Sequence, residues 1–171
     1  MTSTLEWIKA RRSIRKFTAE PVSDEHLDML LQAAMAAPTA CNRKPWEYVV
    51  VSEQETLARL KQVLRLGRYD APAAIVVCGN LLRTLPPPTH TFWIQDCSAA
   101  MQNILLEATG LGLGAVWVGI HPVGLFKRGV AKVLDLPKNV QPLGLVHVGY
   151  PAEERPARTQ YDTERIHWQG W

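Results

Sequence analysis

Arginine side chains are concentrated in one short stretch near the amino end of the chain. Arg11, Arg12 and Arg15 surround Ser13 within five residues, just before Phe17. A guanidinium binds phosphate through a planar pair of N–H donors, and a serine hydroxyl can donate another hydrogen bond. These residues could therefore bind a dianionic phosphate. A solvated charged face is the alternative interpretation of any basic cluster of this size.

A loop of small residues and prolines is the second candidate binding segment. Pro38, Thr39, Ala40 and Asn42 belong to this loop, and Lys44-Pro45-Trp46 follows it. Small side chains let a backbone approach a flat ring closely, and an amide side chain offers both a donor and an acceptor. A plain connection between a helix and a strand is the alternative. We interpret Cys41, inside the loop, as a small filler residue and not as a nucleophile.

Two further segments carry weaker signals. Gly112–Ile120 combines glycines with a short apolar strand, near whose end lie Val118 and Gly119. Glycines before a strand are a weak signal alone, and these do not follow the first strand as a dinucleotide fingerprint would. Near the carboxyl end, Arg155 and Arg158 could add cations to a phosphate site, or they could simply lie on a wet surface.

Bulk composition limits the classes of protein to consider. The chain has 171 residues, 47% apolar and 20% charged, which predicts one globular domain over residues 1–171. A net charge of +3 without a long basic stripe argues against nucleic acid binding. No run of about 18 apolar residues predicts a membrane span. The amino end lacks a secretory pattern, and three widely spaced cysteines suit a reducing cytoplasm rather than a disulfide framework or a zinc site.

Apolar periodicity predicts an α+β domain with a mixed central sheet of about four strands flanked by helices. Helices are predicted over 5–12, from the cap Ser23 to Pro38, from a capping box at Ser52 to about Leu66, and over 93–109 and 123–134. Strands are predicted over 47–51, 73–78, 115–118 and 142–148.

Two parts of this pattern indicate contact with a second subunit. The helix over 93–109 is apolar around most of its circumference, which favours cover on several sides and hence a subunit interface. Residues 150–171 show no periodicity but end in Ile166, Trp168 and Trp171. Large apolar groups are rare in disordered tails, so we predict an extended arm that crosses to a partner subunit.

Together, Arg11-x-Ser13-x-Arg15, Pro38–Asn42 and Gly112–Ile120 resemble the short form of the nitroreductase family over nearly the whole chain. The resemblance implies a nitroreductase-like fold, a homodimer with an exchanged carboxyl-terminal arm, and FMN bound at the subunit interface. It implies that Arg11 holds the FMN phosphate, that Arg12 and Ser13 line the ribityl chain, and that Arg15 faces the pyrimidine edge of the ring. A cation there stabilises the reduced flavin.

The resemblance assigns the other segments as well. It implies that Pro38, Thr39, Ala40 and Asn42 serve the flavin of the opposite subunit, and that the backbone around Val118 and Gly119 approaches flavin N5 and O4. Family members carry a basic-x-basic pair in the tail. Arg158 matches its first position, whereas Gln160 departs from its second. The phosphate site would have one cation fewer, which Arg155 could offset.

The function implied is an FMN-dependent NAD(P)H oxidoreductase with a ping-pong mechanism. An electron-poor acceptor is expected, either a nitroaromatic, a quinone or free flavin, and no side chain needs a catalytic role because the flavin carries the chemistry. We expect a cytoplasmic homodimer with no nucleic acid or membrane partner. A flavin carrier or sensor without turnover, a basic interaction module, and a reductive dehalogenation or flavin-fragmenting reaction are the alternatives.

Overall fold

The computed structural model describes residues 3–171 of the chain, which form an α+β domain. The helices are α1 (Thr4–Ala10), α2 (Asp24–Met35), α3 (Gln54–Val63), α4 (Trp93–Gly110) and α5 (Gly124–Val133). The strands are β1 (Trp46–Val51), β2 (Ala73–Asn80), β3 (Gly114–Gly119) and β4 (Val140–Gly149). Short 3-10 turns lie at Ala40–Asn42, Thr89–Phe92 and Thr163–Arg165.

The four strands form one sheet in the order β1-β2-β4-β3, in which every neighbouring pair is antiparallel. The prediction of four strands is confirmed, and the prediction of a mixed sheet is wrong. β2 and β3 do run in the same direction, but β4 lies between them, so no parallel ladder forms. A parallel pairing does occur outside the sheet ladders, as an isolated bridge between Ser13 and Ala115.

Helices cover the sheet on both faces. β2 is buried along nearly its whole length, as its continuous apolar run predicts. Ile75 and Val77 pack in one core with α2 and α4, whereas Val76 and Cys78 pack in a second core with α3 and α5. The alternation of side chains along the strand distributes its residues between these two cores.

The helix boundaries correct two predictions. Ser23 caps α2 by accepting a hydrogen bond from the His26 N–H, as predicted. α1 ends at Ala10 rather than Arg12, and Arg11 has extended backbone angles. The predicted capping box at Ser52 is wrong, because the residue before α3 is Glu53, which makes no side-chain cap hydrogen bond.

The apolar character of α4 is largely accounted for within the protomer. Its buried residues pack against α2 and the sheet in the first core. Near its end, Gly110 lies so close to Trp7 of α1 that a Cβ there would clash with the indole ring. The composition of α4 therefore does not by itself require a subunit interface. Within residues 3–171, no helix combines the length and apolar character needed to cross a membrane.

The carboxyl-terminal tail first runs along its own protomer. The Thr18 N–H donates to the Tyr150 carbonyl at 2.9 Å, and the Ala152 N–H donates to the Lys16 carbonyl at 2.9 Å. Beyond residue 158, Trp168 and Trp171 are exposed, with accessibilities of 86% and 104% relative to a fully exposed tryptophan. The tail is thus attached along residues 150–158, and its last apolar side chains are open to another surface.

Candidate functional site

The arginine segment forms an extended edge beside β3. The predicted helix over 5–12 ends too late for this segment, because α1 ends at Ala10 and Arg11 is already extended. Ser13 instead pairs with Ala115, and the Ile14 N–H donates to the Ala115 carbonyl at 3.0 Å. Side chains two apart on an extended chain share a face. The Arg-x-Ser-x-Arg spacing therefore matches the two-residue period of an extended strand, which places Arg11, Ser13 and Arg15 on one face.

Gly114 makes this approach possible. A Cβ at Gly114 would lie 2.6 Å from the side chain of Ile14, closer than real Cβ atoms come to a neighbour. Any larger residue at this position would push the arginine segment away from β3. Gly114 of the Gly112–Ile120 segment thus has a packing role before any binding role.

Five arginines and one serine meet in a cleft of about 140 Å³. Its lining residues are Arg11, Arg12, Ser13, Arg15, Arg155 and Arg158; we call it the arginine cleft. Every sequence-predicted residue of the first segment and of the tail therefore lies there. Partial removal from water, followed by the neighbouring guanidiniums Arg158, Arg155 and Arg11, lowers the pKa of Arg12. Such a concentration of like charge attracts a small anion.

Contacts with the tail hold the cleft together. The Arg12 guanidinium donates to the Pro156 carbonyl, so part of this side chain is already used within the protein. The Glu153 carboxylate accepts hydrogen bonds from the backbone N–H of Arg15 at 2.6 Å and of Lys16 at 3.3 Å. These N–H donors and the guanidinium of Arg155 lower the pKa of Glu153. Sequence reasoning missed Glu153, because nothing local distinguishes it from other acids of the tail.

Tyr69 is a second residue that the sequence did not indicate. The Arg15 Nε donates to the Tyr69 hydroxyl at 3.2 Å, and the Arg15 Nη1 donates to the Ser13 carbonyl at 3.3 Å. The Tyr69 ring meets the His147 ring edge-on, with centroids 5.7 Å apart. Tyr69 thereby fixes one side of the Arg15 guanidinium. Its partner lies 54 positions away, so no local pattern could have found it.

His147 supports Tyr69 from inside the protein. It lies on β4 with only 6% of its surface exposed, and its Nε2 is 3.2 Å from the Gly67 carbonyl. Burial lowers the pKa of His147 to about 4. The imidazole is therefore neutral near pH 7, with Nε2 assigned as the donor to Gly67.

The end of β3 places a free backbone donor on the same edge. The Ala115 carbonyl points outward to Ile14, and backbone direction alternates along an antiparallel strand. The backbone N–H and C=O of Gly119 therefore point outward as well, whereas those of Val118 point toward β4. The Val118 side chain is buried in the second core. A Cβ built at Gly119 would meet nothing within 4 Å, so the space beside it is open. Of these two predicted residues, Gly119 has the accessible N–H.

The Pro38–Asn42 loop is anchored separately. The Ala40 N–H donates to Asp96 Oδ1 at 2.8 Å, and Asp96 is only 7% exposed at the start of α4. Burial raises the pKa of Asp96, and the Ala40 N–H opposes that shift. The Thr39 carbonyl accepts from the Asn42 N–H at 3.0 Å. Asp96 is thus a buried anchor for the loop.

The loop stays outside the arginine cleft of its own protomer. No residue of Pro38–Asn42 lines that cleft in the part of the chain that the structure describes. Cys41 and Asn42 adopt left-handed backbone angles, with φ of 49° and 54°, a conformation that costs free energy in most residues and is often found at binding sites. The cysteine thiol is exposed and free. If both segments serve one ligand, the loop must come from a second subunit.

A larger cavity of about 450 Å³ lies elsewhere, between α3 and residues 69–72. Tyr69, His147 and Lys61 line it, whereas none of the five clustered arginines does. The Lys61 ammonium is already paired with Asp70. Volume alone therefore does not identify an anion site, whereas charge and the number of donors favour the smaller cleft as the candidate.

Comparison with known proteins agrees with the motifs. The model of the nitroreductase family matches residues 8–67 and 64–150. A Methanothermobacter thermautotrophicus protein, provisionally named NADH dehydrogenase/NAD(P)H nitroreductase, is 43% identical over 98% of this chain and 87% of its own. A Parabacteroides distasonis structure with the same provisional name is 38% identical, with a TM-score of 0.91 and full coverage of both chains. An FMN-dependent nitroreductase of Clostridium difficile is 29% identical, with a TM-score of 0.89 over 98% of this chain and all of the other. The chain belongs to the nitroreductase family.

Proposed function

We propose that this protein is an FMN-dependent NAD(P)H oxidoreductase that works as a homodimer. The observation that carries the proposal is the arginine cleft, in which five guanidiniums and the Ser13 hydroxyl converge beside the free edge of β3. Such a donor set fits a phosphate dianion, and the outward N–H of Gly119 fits a ring placed further along the same edge. Relatives named for NAD(P)H and for FMN support the same assignment.

The dimensions of the edge support a ligand with a phosphate at one end and a ring at the other. Ser13 pairs with Ala115, and Gly119 lies four residues further along β3. At about 3.3 Å per residue, this is a span of roughly 13 Å. Arg11, Ser13 and Arg158 would hold the phosphate, while Arg12 would line the ribityl chain with the donors that Pro156 leaves free.

Arg15 and Gly119 would tune the ring. When bound, FMN supplies the redox chemistry by taking hydride from NAD(P)H at N5 and passing it to an electron-poor acceptor. The Arg15 guanidinium, fixed by Tyr69, would stabilise negative charge at the N1/O2 edge. The Gly119 N–H is a rigid donor that neither titrates nor reacts, and it would orient the N5/O4 edge.

The partner subunit would complete the site. Pro38, Thr39, Ala40 and Asn42 would contact the flavin across the dimer, because the loop does not reach the arginine cleft of its own protomer. The exposed Trp168 and Trp171 would pack on the partner as part of the arm. Nicotinamide would leave before a nitroaromatic, quinone or flavin acceptor binds, since both need the same open face of the ring.

Steady-state kinetics test this function. Protein reconstituted with FMN should oxidise NADH or NADPH continuously once menadione or nitrofurazone is added, with parallel double-reciprocal lines when both substrates are varied. A carrier or sensor would bind FMN without sustained turnover. Bound FMN with no consumption of either nicotinamide, with either acceptor, would contradict the proposed activity.

A further inference from the structure

Arg155 lies in the arginine cleft although the tail motif of the family does not include its position. The motif instead leads to Gln160, whose side chain is neutral and does not line the cleft. The cleft nevertheless contains two cations from the tail, Arg155 and Arg158. The motif therefore accounts for Arg158 but not for Arg155.

Glu153 contacts Arg155 and the arginine segment at the same time. Its Oε2 accepts from both the Nε and the Nη2 of Arg155, at 3.2 and 2.9 Å, so two guanidinium donors share one carboxylate oxygen. Its Oε1 accepts from the backbone N–H groups of Arg15 and Lys16. One carboxylate thus joins the tail guanidinium to the backbone of the arginine segment. The Glu153 side chain is only 14% exposed, whereas that of Arg155 is 39% exposed.

The contact leaves Arg155 able to bind an anion. A guanidinium has five N–H donors, and Glu153 takes two of them, which leaves three. A held guanidinium also loses less side-chain entropy on binding than a mobile one.

We infer that Arg155 is a ligand of the FMN phosphate and that Glu153 is the positioning residue that holds it in the arginine cleft. This inference rests on the proposed function. Arg155 is then the cation that compensates for Gln160, and Glu153 supports phosphate binding although it is itself negatively charged.

The direction in which Glu153→Gln changes FMN affinity distinguishes a positioning role of Glu153 from a purely electrostatic effect of its charge. A carboxylate beside a phosphate repels it, so its neutralisation should strengthen FMN binding if Glu153 were a bystander. If Glu153 positions Arg155, the same change should weaken binding. Glu153→Gln keeps an oxygen that can accept from Arg15 N–H, but its amide nitrogen cannot accept from Arg155. It therefore removes the Arg155 contact and spares the backbone contact.

The experiment is a fluorescence titration of the full-length apoprotein with FMN and, in parallel, with riboflavin, which lacks the phosphate. Arg155→Gln should weaken FMN binding about tenfold, or 1.4 kcal/mol, and change riboflavin binding by less than twofold. Glu153→Gln should weaken FMN binding by a smaller factor, and the double variant should bind FMN no more weakly than Arg155→Gln, because no Arg155 guanidinium remains to be positioned. Arg59→Gln is the control, because Arg59 is an exposed arginine on α3 that does not line the cleft; it should bind FMN like wild type.

The possible failures are distinguishable. Unchanged FMN affinity in Arg155→Gln, or tighter FMN binding in Glu153→Gln, would overturn the inference and leave the proposed function standing. Wild-type protein that binds FMN no better than riboflavin would overturn both. Arg155 is exposed enough that its replacement should not prevent folding, and thermal melting of each variant verifies this.

Discussion

Protonation of His147 should make the protein acid-sensitive by a calculable amount. The folded state lowers the pKa of this residue to about 4, because the ring is buried. The ordinary value of about 6.5 applies to the unfolded chain, so the unfolded chain binds the proton more readily. The stability that depends on a neutral His147 is therefore complete above pH 6.5 and is lost as the pH falls toward 4.

The magnitude follows from the difference between the two pKa values. Two and a half units correspond to a limit of about 3 kcal/mol, and linkage gives a loss of about 2 kcal/mol between pH 7 and pH 5. The nearby charges of Asp70 and Lys61 have opposite and smaller effects on this pKa. Burial of the ring therefore determines the prediction.

Urea unfolding of the apoprotein at pH 7 and pH 5 measures this loss, with His147→Gln as the matched variant. Glutamine can still donate to the Gly67 carbonyl, but it does not titrate. Carboxylates elsewhere affect both proteins equally, so the difference between the two pH-dependent losses isolates His147. Wild type should lose about 2 kcal/mol more than the variant between the two pH values. Equal losses in the two proteins would refute the reasoning that burial keeps this imidazole neutral.

Three further changes test the supports of the site. Asp96→Ala should lower the free energy of unfolding by about 1–3 kcal/mol, because the Ala40 N–H loses its acceptor, whereas Asp96→Asn should cost less at pH 7; equal urea midpoints for the two would contradict the anchor. Tyr69→Phe should lower the reduction potential of bound FMN by about 20 mV, or roughly 1 kcal/mol for two electrons, since Arg15 loses a fixed partner; an unchanged potential would exclude this role. Deletion of 158–171 should release monomer and flavin together in size-exclusion chromatography with light scattering. A truncated protein that stays dimeric and yellow would refute the exchanged arm.

The sequence predicted most elements because their signals are local. The apolar run of β2 and the hydroxyl cap at Ser23 both follow from short-range rules, and both are present. The helical assignment of Arg11 failed because propensity near the end of α1 does not reveal that the segment pairs with Ala115. That pairing also determines which residues share a face.

The supports of the site could not be predicted for a related reason. Glu153 meets the Arg15 backbone across 138 positions, and Tyr69 meets the Arg15 side chain across 54. Such contacts depend on the order of strands in the sheet, which periodicity does not encode. Candidate ligand-binding residues can be proposed from the sequence because their types and spacing are chemically distinctive, whereas the residues that hold them in place are ordinary acids and aromatics.

The central claim is that the arginine cleft binds the phosphate of FMN. Its most direct test is a titration of apoprotein with FMN, comparing wild type with Arg11→Ala and with Arg59→Ala, a change of an exposed arginine on α3. The account predicts tight binding by wild type and by Arg59→Ala, and binding at least tenfold weaker by Arg11→Ala. Equal FMN affinity in all three proteins, or no FMN binding by wild type, would contradict it.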